Sequence, residues 1–132
     1  MKVLVTGSKG FIGKNLCLYL REFSEIEVIT FDRANSEDEL EDLVVSADMI
    51  IHLAGENRPK SITDFEVVNT KLTQSICKIL SDHDSQATVV LASSIQALLD
   101  SDYGRSKFAA EEAVIKLNKS NGNPVAIYRL PG

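Results

Sequence analysis

The sequence predicts one α/β domain built on a doubly wound parallel sheet of about five strands, with helices on both faces of the sheet. Strand and helix patterns alternate along all 132 residues. The candidate strands are apolar at nearly every position, which is typical of parallel strands covered on both faces. Hydrophobic residues make up 44% of the chain, enough to fill the core of one domain of this length.

The predicted elements follow one another without a linker, a repeat or a low-complexity segment. Strands are predicted at residues 2–6, 26–31, 48–53, 87–92 and 124–129, and helices at residues 11–23, 36–46, 63–82 and 103–120. Apolar residues at helical spacing predict a core-facing stripe on the first helix, formed by Phe11, Ile12, Leu16, Tyr19, Leu20 and Phe23. Right-handed crossovers would bring the carboxyl ends of the strands, and any ligand, to one edge of the sheet.

The segment between the first strand and the first helix gives the strongest indication of function. Gly7, Gly10 and Gly13 directly follow the strand, and the helical pattern begins at once. Glycines allow a tight turn and a close approach of phosphate oxygens, while the helix N-terminus offers unpaired N–H groups. This GxxGxxG spacing favours a dinucleotide site over a capped turn without a ligand. A nucleoside-triphosphate loop fits less well, because Ser8 and Asn15 occupy positions that would need Gly and Ser or Thr.

Two residues of opposite charge follow the second strand. Asp32 lies where a carboxylate would accept hydrogen bonds from the hydroxyls of the adenosine ribose, which favours NAD. Arg33 could instead pair with a 2′-phosphate, which favours NADP. For either residue, a solvated turn is the plainer interpretation. These two residues leave the choice of cofactor open.

The end of the third strand adds small residues at the same edge of the sheet. Ala54 and Gly55 would let a cofactor lie across the sheet at this point. His52, just before them, is more typical of a core or supporting histidine than of a catalytic one.

A tyrosine and a lysine share one face of the last helix. Tyr103 and Lys107 are four residues apart, so the phenol and the ammonium group meet. A nearby cation favours the tyrosinate form, which suits a group that exchanges a proton with an alcohol or carbonyl oxygen. As a surface pair they would contribute only about 0.2–0.5 kcal/mol. Ser93 and Ser94 end the preceding strand, where a hydroxyl could bind the same oxygen or simply serve a turn.

Charge and cysteine content limit the classes of partner and the compartment. The net charge of −5 argues against nucleic acid or an anionic membrane as the main partner. No apolar run approaches the roughly 18 residues of a transmembrane helix, and the N-terminus reads as a strand, not as a signal peptide. Cys17 and Cys77 lie in helical patterns and are expected to be small buried residues in a reducing cytoplasm. No pattern of metal ligands is evident.

Taken together, these motifs resemble the extended short-chain dehydrogenase/reductase family, also known as the NAD-dependent epimerase/dehydratase family, whose cofactor domain has the Rossmann fold. The matching segments are residues 6–13, 48–55, Asn69, 93–94, 103–107 and 128–131. The resemblance implies that Ser94 is the catalytic hydroxyl, Tyr103 the acid/base and Lys107 the lysine that binds the nicotinamide ribose, with Ser93 a close alternative to Ser94. The cofactor-binding residues that it implies are Gly7, Lys9, Gly10, Phe11, Ile12, Gly13, Asp32, Arg33, Leu53, Ala54, Gly55, Asn69, Tyr103, Lys107 and Leu130.

A narrower resemblance concerns residues 52–59 and 93–97. They are similar to bacterial capsule and O-antigen enzymes that reduce C4 of a UDP-2-acetamido-2,6-dideoxy-4-hexulose on the route to UDP-N-acetyl-L-fucosamine. Those enzymes use NADPH, so the resemblance favours Arg33 over Asp32. It also implies a UDP-sugar substrate. In the wider family, the helices that correspond to 63–82 and 103–120 often pack against a second subunit, so a homodimer through these helices is a further hypothesis.

Three other functions remain open at the level of sequence. They are a nucleotide-sugar epimerase or dehydratase on the same scaffold, a non-catalytic dinucleotide-binding module, and a flavodoxin-type domain.

The chain departs from the family pattern at two points. Between Asp32 and Asp48 there is no room for the usual third strand, so the expected order of the sheet is 2-1-3-4-5. The chain stops at Gly132, where family members continue into a lobe that binds the substrate. We therefore expect residues 1–132 to form an NAD(P)-binding domain, and the substrate-binding lobe to be absent from this chain.

Overall fold

The computed structural model describes residues 1–32, 34–54 and 70–131, which form a parallel sheet flanked by helices. Its strands are β1 (Lys2–Thr6), β2 (Glu27–Phe31), β3 (Met49–His52), β4 (Thr88–Ser94) and β5 (Val125–Leu130). All the strand pairs are parallel, and the order in the sheet is β2-β1-β3-β4-β5. The doubly wound sheet and its strand order, both predicted from the sequence, are therefore confirmed.

Helices connect the strands along the described part of the chain. They are α1 (Phe11–Leu20), α2 (Glu37–Ser46), α3 (Leu72–Asp82), a 3₁₀ helix (Ile95–Leu98) and α4 (Asp102–Asn121). The part of the predicted helix 63–82 that precedes residue 70 lies outside the described residues. Ser36 and Glu39 form a capping box that starts α2. Gly122, in the left-handed region at φ 84°, ends α4.

Apolar side chains cover both faces of the central strands. The larger cluster includes Leu4 and packs the sheet against α2, α3 and α4, and Cys77 is partly buried at its border. The smaller cluster packs Val3 and Val5 against Cys17 of α1. Consecutive residues of β1 thus enter opposite layers, as expected for a strand buried on both faces. The buried positions predicted for the two cysteines agree with this packing.

The core-facing stripe predicted for α1 is wrong at most of its positions. The exposed members are Phe11, Ile12, Tyr19 and Phe23, with between 37% and 85% of their surface accessible. Two of the predicted residues, Leu16 and Leu20, do pack against the core, beside Gly13 and Cys17, which are buried. A glycine at the contact brings the helix axis close to the sheet, so apolar side chains on its flanks stay outside the core.

Candidate functional site

The turn after β1 lies directly against the end of β3. Gly7 has a φ of +67°, and a Cβ at this position would lie 2.8 Å from the backbone nitrogen of Ala54. A Cβ on Gly13 would lie 2.2 Å from the carbonyl oxygen of Gly7, so α1 packs on the turn without an intervening side chain. Packing therefore requires glycine at both positions. Gly10 differs, because a Cβ there would meet its nearest neighbour at an ordinary 3.4 Å.

The N-terminus of α1 has features of an anion site. Gly10 is its N-cap, no side chain among the described residues caps it, and its first turn contains no acidic residue. By contrast, Ser36 caps α2 and Ser101 caps α4. The N–H groups at the start of α1 and the positive end of its dipole are therefore available to a negatively charged ligand.

One cavity joins the glycine turn to the residues predicted to be catalytic. It has a volume of about 490 Å³ and is lined by Gly7, Gly10 and Gly13 on one side. Ser93, Ser94, Tyr103 and Lys107 line it from β4 and α4, and its other lining residues include Phe11, Ile12, Leu53 and Leu130. Residues far apart in the sequence thus meet at the carboxyl edge of the sheet, where ligands of doubly wound folds bind.

A second cavity, of about 900 Å³, extends from the other side of the same turn. It is lined by Lys9 and Asp32, and by Ala54 at the end of β3. Both cavities contact Gly7, Gly10 and Leu53. This arrangement suits an elongated ligand with a charged centre over the turn and one group in each cavity.

In the second cavity, Asp32 already has partners for both carboxylate oxygens. Its Oδ1 accepts a hydrogen bond of 2.8 Å from the backbone N–H of Ala34, and its Oδ2 lies 3.6 Å from Nζ of Lys9. The side chain of Asp32 is 17% exposed and that of Lys9 is 72% exposed. A hydroxyl ligand of Asp32 would therefore compete with the exposed cation of Lys9.

In the first cavity, the ammonium of Lys107 lies over the ring of Tyr103. Nζ is 5.8 Å from the ring centroid, within the range of a cation–π contact. Lys107 is only 7% exposed. Burial lowers the pKa of its ammonium group below the ordinary value, and the carboxylate of Glu111 acts in the opposite direction. The pairing expected from the i, i+4 spacing is present.

The two serines at the end of β4 make different hydrogen bonds. The hydroxyl of Ser93 donates to Oε2 of Glu111 at 2.6 Å. The Oγ of Ser94 accepts the backbone N–H of Gln96 at 3.1 Å. Within residues 1–32, 34–54 and 70–131, no acceptor for the hydroxyl hydrogen of Ser94 is found, so that hydrogen can be offered to a ligand. The hydroxyl hydrogen of Ser93 is already donated to Glu111.

Glu111 and its partner Arg129 were assigned no role from the sequence. Glu111 is 3% exposed, and Arg129 donates to both of its oxygens, from Nε at 2.9 Å and from Nη2 at 2.6 Å. Burial acts to raise the pKa of Glu111, but the hydrogen bonds from Arg129 and Ser93, together with the charges of Arg129 and Lys107, hold it below the ordinary value. The available signal was the repeat of Tyr103, Lys107 and Glu111 at intervals of four, which places a carboxylate on the same face of the helix.

The remaining predicted residues divide into two groups. His52 is 1% exposed and lies between Thr6 and Thr73, as expected for a core histidine. Arg33, Gly55 and Asn69 lie outside the described residues. Among the described residues there is no group of three or more side chains that could hold a metal ion. In the same part of the chain, no helix has the length and apolarity needed to span a bilayer.

The parallel sheet, the glycine turn and the two cavities define a Rossmann-like α/β domain. Residues 3–131 match the NAD dependent epimerase/dehydratase family. The chain belongs to this family.

Relatives and solved structures agree with this assignment. The chain is 46% identical over 131 residues to a UDP-2-acetamido-2,6-beta-L-arabino-hexul-4-ose reductase of Pseudomonas aeruginosa, covering 99% of this chain and 35% of the relative. The capsular polysaccharide assembling protein CapF of Staphylococcus aureus has a TM-score of 0.83 and 34% identity, over 100% of this chain and 34% of CapF. The UDP-glucuronic acid 4-epimerase of Bacillus cereus, solved with NAD, has a TM-score of 0.87 over 99% of this chain and 57% of its own. Its identity of 21% shows a common fold only. The chain thus spans about a third of the length of the reductase and of CapF.

Proposed function

We propose that this chain is the cofactor-binding part of an NADPH-dependent reductase of nucleotide sugars. Its substrate would be the C4 ketone of a UDP-2-acetamido-2,6-dideoxy-hexulose, in the synthesis of a capsule or O-antigen. The observation that carries the proposal is that the glycine turn, Tyr103 and Lys107 all line the first cavity. The sequence similarity to the Pseudomonas reductase extends over nearly the whole chain and supports this choice of substrate. Residues 1–132 then form the NAD(P)-binding domain, and further residues would complete the sugar site.

The residues around the glycine turn fit a dinucleotide. The uncapped start of α1, with Gly10 open to both cavities, would hold the pyrophosphate. Lys9 and Asp32 would hold the adenosine end, and Lys107 the ribose next to the nicotinamide. When bound, the reduced nicotinamide supplies a hydride.

The side chains of the first cavity would complete the reduction of a ketone. Tyr103 donates its phenolic proton to the C4 oxygen as the carbonyl becomes an alcohol. The ammonium of Lys107, over the tyrosine ring, stabilises the phenolate that remains. Ser94 donates a hydrogen bond to the same oxygen. We assign this role to Ser94 and not to Ser93, because the hydroxyl of Ser93 already donates to Glu111.

Lys9 supports the choice of NADPH over NADH. A ribose diol would have to compete with Lys9 for Oδ2 of Asp32, whereas a 2′-phosphate would attract that lysine. Arg33, which follows directly, would add a second cation.

We place the enzyme in the cytoplasm, since both cysteines are free thiols, as is usual in a reducing compartment. We also propose a homodimer formed through α3 and α4, supported by the exposed apolar side chains Phe108 and Ile115 on α4. A monomeric mass in light scattering of the protein from the complete reading frame would contradict the dimer.

The decisive experiment supplies the UDP-2-acetamido-2,6-dideoxy-4-hexulose and NADPH to the protein expressed from its complete reading frame. A reductase consumes one NADPH for each sugar and adds two hydrogen atoms to the product. An epimerase or dehydratase changes the sugar without net consumption of NADPH. Cofactor binding without any change in the sugar would instead identify a dinucleotide-binding module.

A further inference from the structure

We propose that Glu111 is a positioning residue of the candidate active site. Its carboxylate fixes the end of β4 and places a negative charge on the same helix face as the ammonium of Lys107, in the arrangement that carbonyl reduction needs. This inference rests on the proposed function, which it deepens by adding a residue that touches neither cofactor nor substrate.

The first support is a set of hydrogen bonds that joins three elements. The Oε2 of Glu111 accepts from Ser93 on β4 at 2.6 Å and from Nε of Arg129 on β5 at 2.9 Å, while its Oε1 accepts from Nη2 of Arg129 at 2.6 Å. Ser93 and Arg129 are directly opposite each other in the register of these strands. One carboxylate on α4 therefore cross-links the last two strands at the edge of the cavity.

The second support is what this cross-link does to Ser94. Ser94 is the next residue along β4, it lines the cavity, and it is 4% exposed. Because Ser93 is held by a charge-assisted hydrogen bond, the backbone that carries Ser94 has little freedom to move. A hydroxyl that must meet a developing oxyanion depends on such a fixed support.

The third support concerns the charge beside Tyr103. Lys107 and Glu111 are four residues apart on α4 and both are buried. The other ionisable groups that act here are Tyr103 on the same helix, the neutral His52 on β3 and Arg129 on β5. A buried ammonium is costly without an opposite charge nearby, and within the described chain Glu111 is the acidic residue whose charge acts on Lys107.

The same contacts would also fit a purely structural role. In that role, Glu111 and Arg129 only stabilise the fold as a partly buried ion pair. The two roles differ when both partners are replaced. Removing one member of a buried pair leaves a charge without its partner, whereas removing both is often tolerated. A structural role therefore predicts that the double replacement restores activity together with stability.

The test uses the enzyme expressed from the complete reading frame. We expect Glu111→Gln to lower kcat by about tenfold or more, with the KM for the sugar within about twofold of wild type. We also expect it to raise the Kd for NADPH by about fivefold through Lys107. The matched control is Glu112→Gln, which removes the same charge from the exposed neighbouring residue and should behave like wild type. The double variant Glu111→Gln/Arg129→Gln should recover the part of the Tm that an unpaired Arg129 costs, but not kcat.

Two results would overturn the proposal: equal kcat in Glu111→Gln and Glu112→Gln, or recovery of kcat along with Tm in the double variant. If Glu111→Gln does not fold, Arg129→Lys replaces it. That variant keeps the cation but loses the two-point contact, so kcat should fall about threefold, and an unchanged kcat would contradict the inference. A wild-type enzyme that binds NADPH without reducing the sugar would contradict the proposed function alone, and the Kd comparison would still test Glu111. A wild type that does not bind NADPH would overturn both.

Discussion

The hydroxyl of Thr6 donates a hydrogen bond of 2.6 Å to Nδ1 of His52. The direction is fixed because the same oxygen accepts the backbone N–H groups of Leu53 and Ala54, at 3.1 Å each, and so uses its lone pairs. Nδ1 is therefore the unprotonated nitrogen, and Nε2 carries the hydrogen that faces Oγ1 of Thr73 at 2.9 Å. A neutral imidazole thus ties β1, β3 and α3 together behind the glycine turn.

This buried imidazole should make stability depend on pH. Burial lowers the pKa of His52 to about 3, and Lys107 acts in the same direction, whereas an unfolded histidine titrates near 6.5. Below about pH 6.5 the unfolded chain binds a proton that the folded chain does not, so stability falls as the pH falls toward 3. The slope should approach about 1.4 kcal/mol per pH unit at the acidic end of this window.

Urea unfolding at pH 7, 6 and 5 measures this slope. In His52→Gln the dependence between pH 7 and pH 5 should largely disappear. His83→Gln, at the exposed histidine that contacts Glu41, should keep the wild-type dependence. The same free energy of unfolding at pH 7 and pH 5 in the wild type would contradict the assignment of a neutral His52.

Two glycines of the turn, Gly10 and Gly13, should respond differently to replacement by alanine. Gly10→Ala should keep the free energy of unfolding near the wild-type value, since the added methyl meets only the carbonyl of Gly7 at 3.4 Å. It should nevertheless weaken NADPH binding by about tenfold or more, because the methyl would stand in the proposed phosphate site. Gly13→Ala should lose about 2 kcal/mol or more of stability, because its methyl would overlap the turn. Isothermal titration and urea unfolding of both variants test this, and unchanged NADPH affinity in Gly10→Ala would argue against a phosphate site here.

Replacing the phenol should separate chemistry from binding. In the enzyme from the complete reading frame, Tyr103→Phe should lower kcat by about a hundredfold or more, since the proposed proton donor is lost. The Kd for NADPH should stay within about twofold, because the ring and its contact with Lys107 remain. Tyr19→Phe is the control, as Tyr19 is an exposed tyrosine of α1 that lines neither cavity. Wild-type turnover in Tyr103→Phe would refute the assignment of the acid.

Lys9 should contribute to the choice of cofactor. Lys9→Gln should raise the Kd for NADPH by about three- to tenfold, because one cation near the proposed site of the 2′-phosphate is lost. The Kd for NADH should stay constant or fall, since Asp32 no longer has Lys9 as a competing partner. Lys14→Gln removes the same charge from an exposed position of α1 and should change neither value. An equal loss of affinity for NADPH and NADH in Lys9→Gln would instead indicate a general effect of charge.

The strands of the sheet could be predicted from the sequence because each strand corresponds to one short, continuous stretch of residues. Each buried strand appears as a short apolar run, and the strand order follows from the family pattern with its usual third strand left out. The position of Tyr103 and Lys107 in one cavity with the glycine turn also follows, since ligand groups of such sheets gather at the carboxyl edge.

The exposed face of α1 and the role of Glu111 could not be predicted in this way. Helical spacing shows which residues share a face, but Phe11 and Ile12 line a cavity whose shape depends on the contact at Gly13. Glu111 depends on Arg129, a partner 18 residues away. Only the register between β4 and β5 places that arginine within reach.

The alignment of Ser93 with Arg129 also restricts which changes of length this domain can tolerate. Side chains alternate between the two sides of a strand, so one residue added to β5 before Arg129 would turn its guanidinium toward the opposite layer. The buried carboxylate of Glu111 would then lose the hydrogen bonds from Arg129, although no residue of the site had been replaced. Insertions and deletions should therefore accumulate in the connecting loops of natural variants and be absent from this strand.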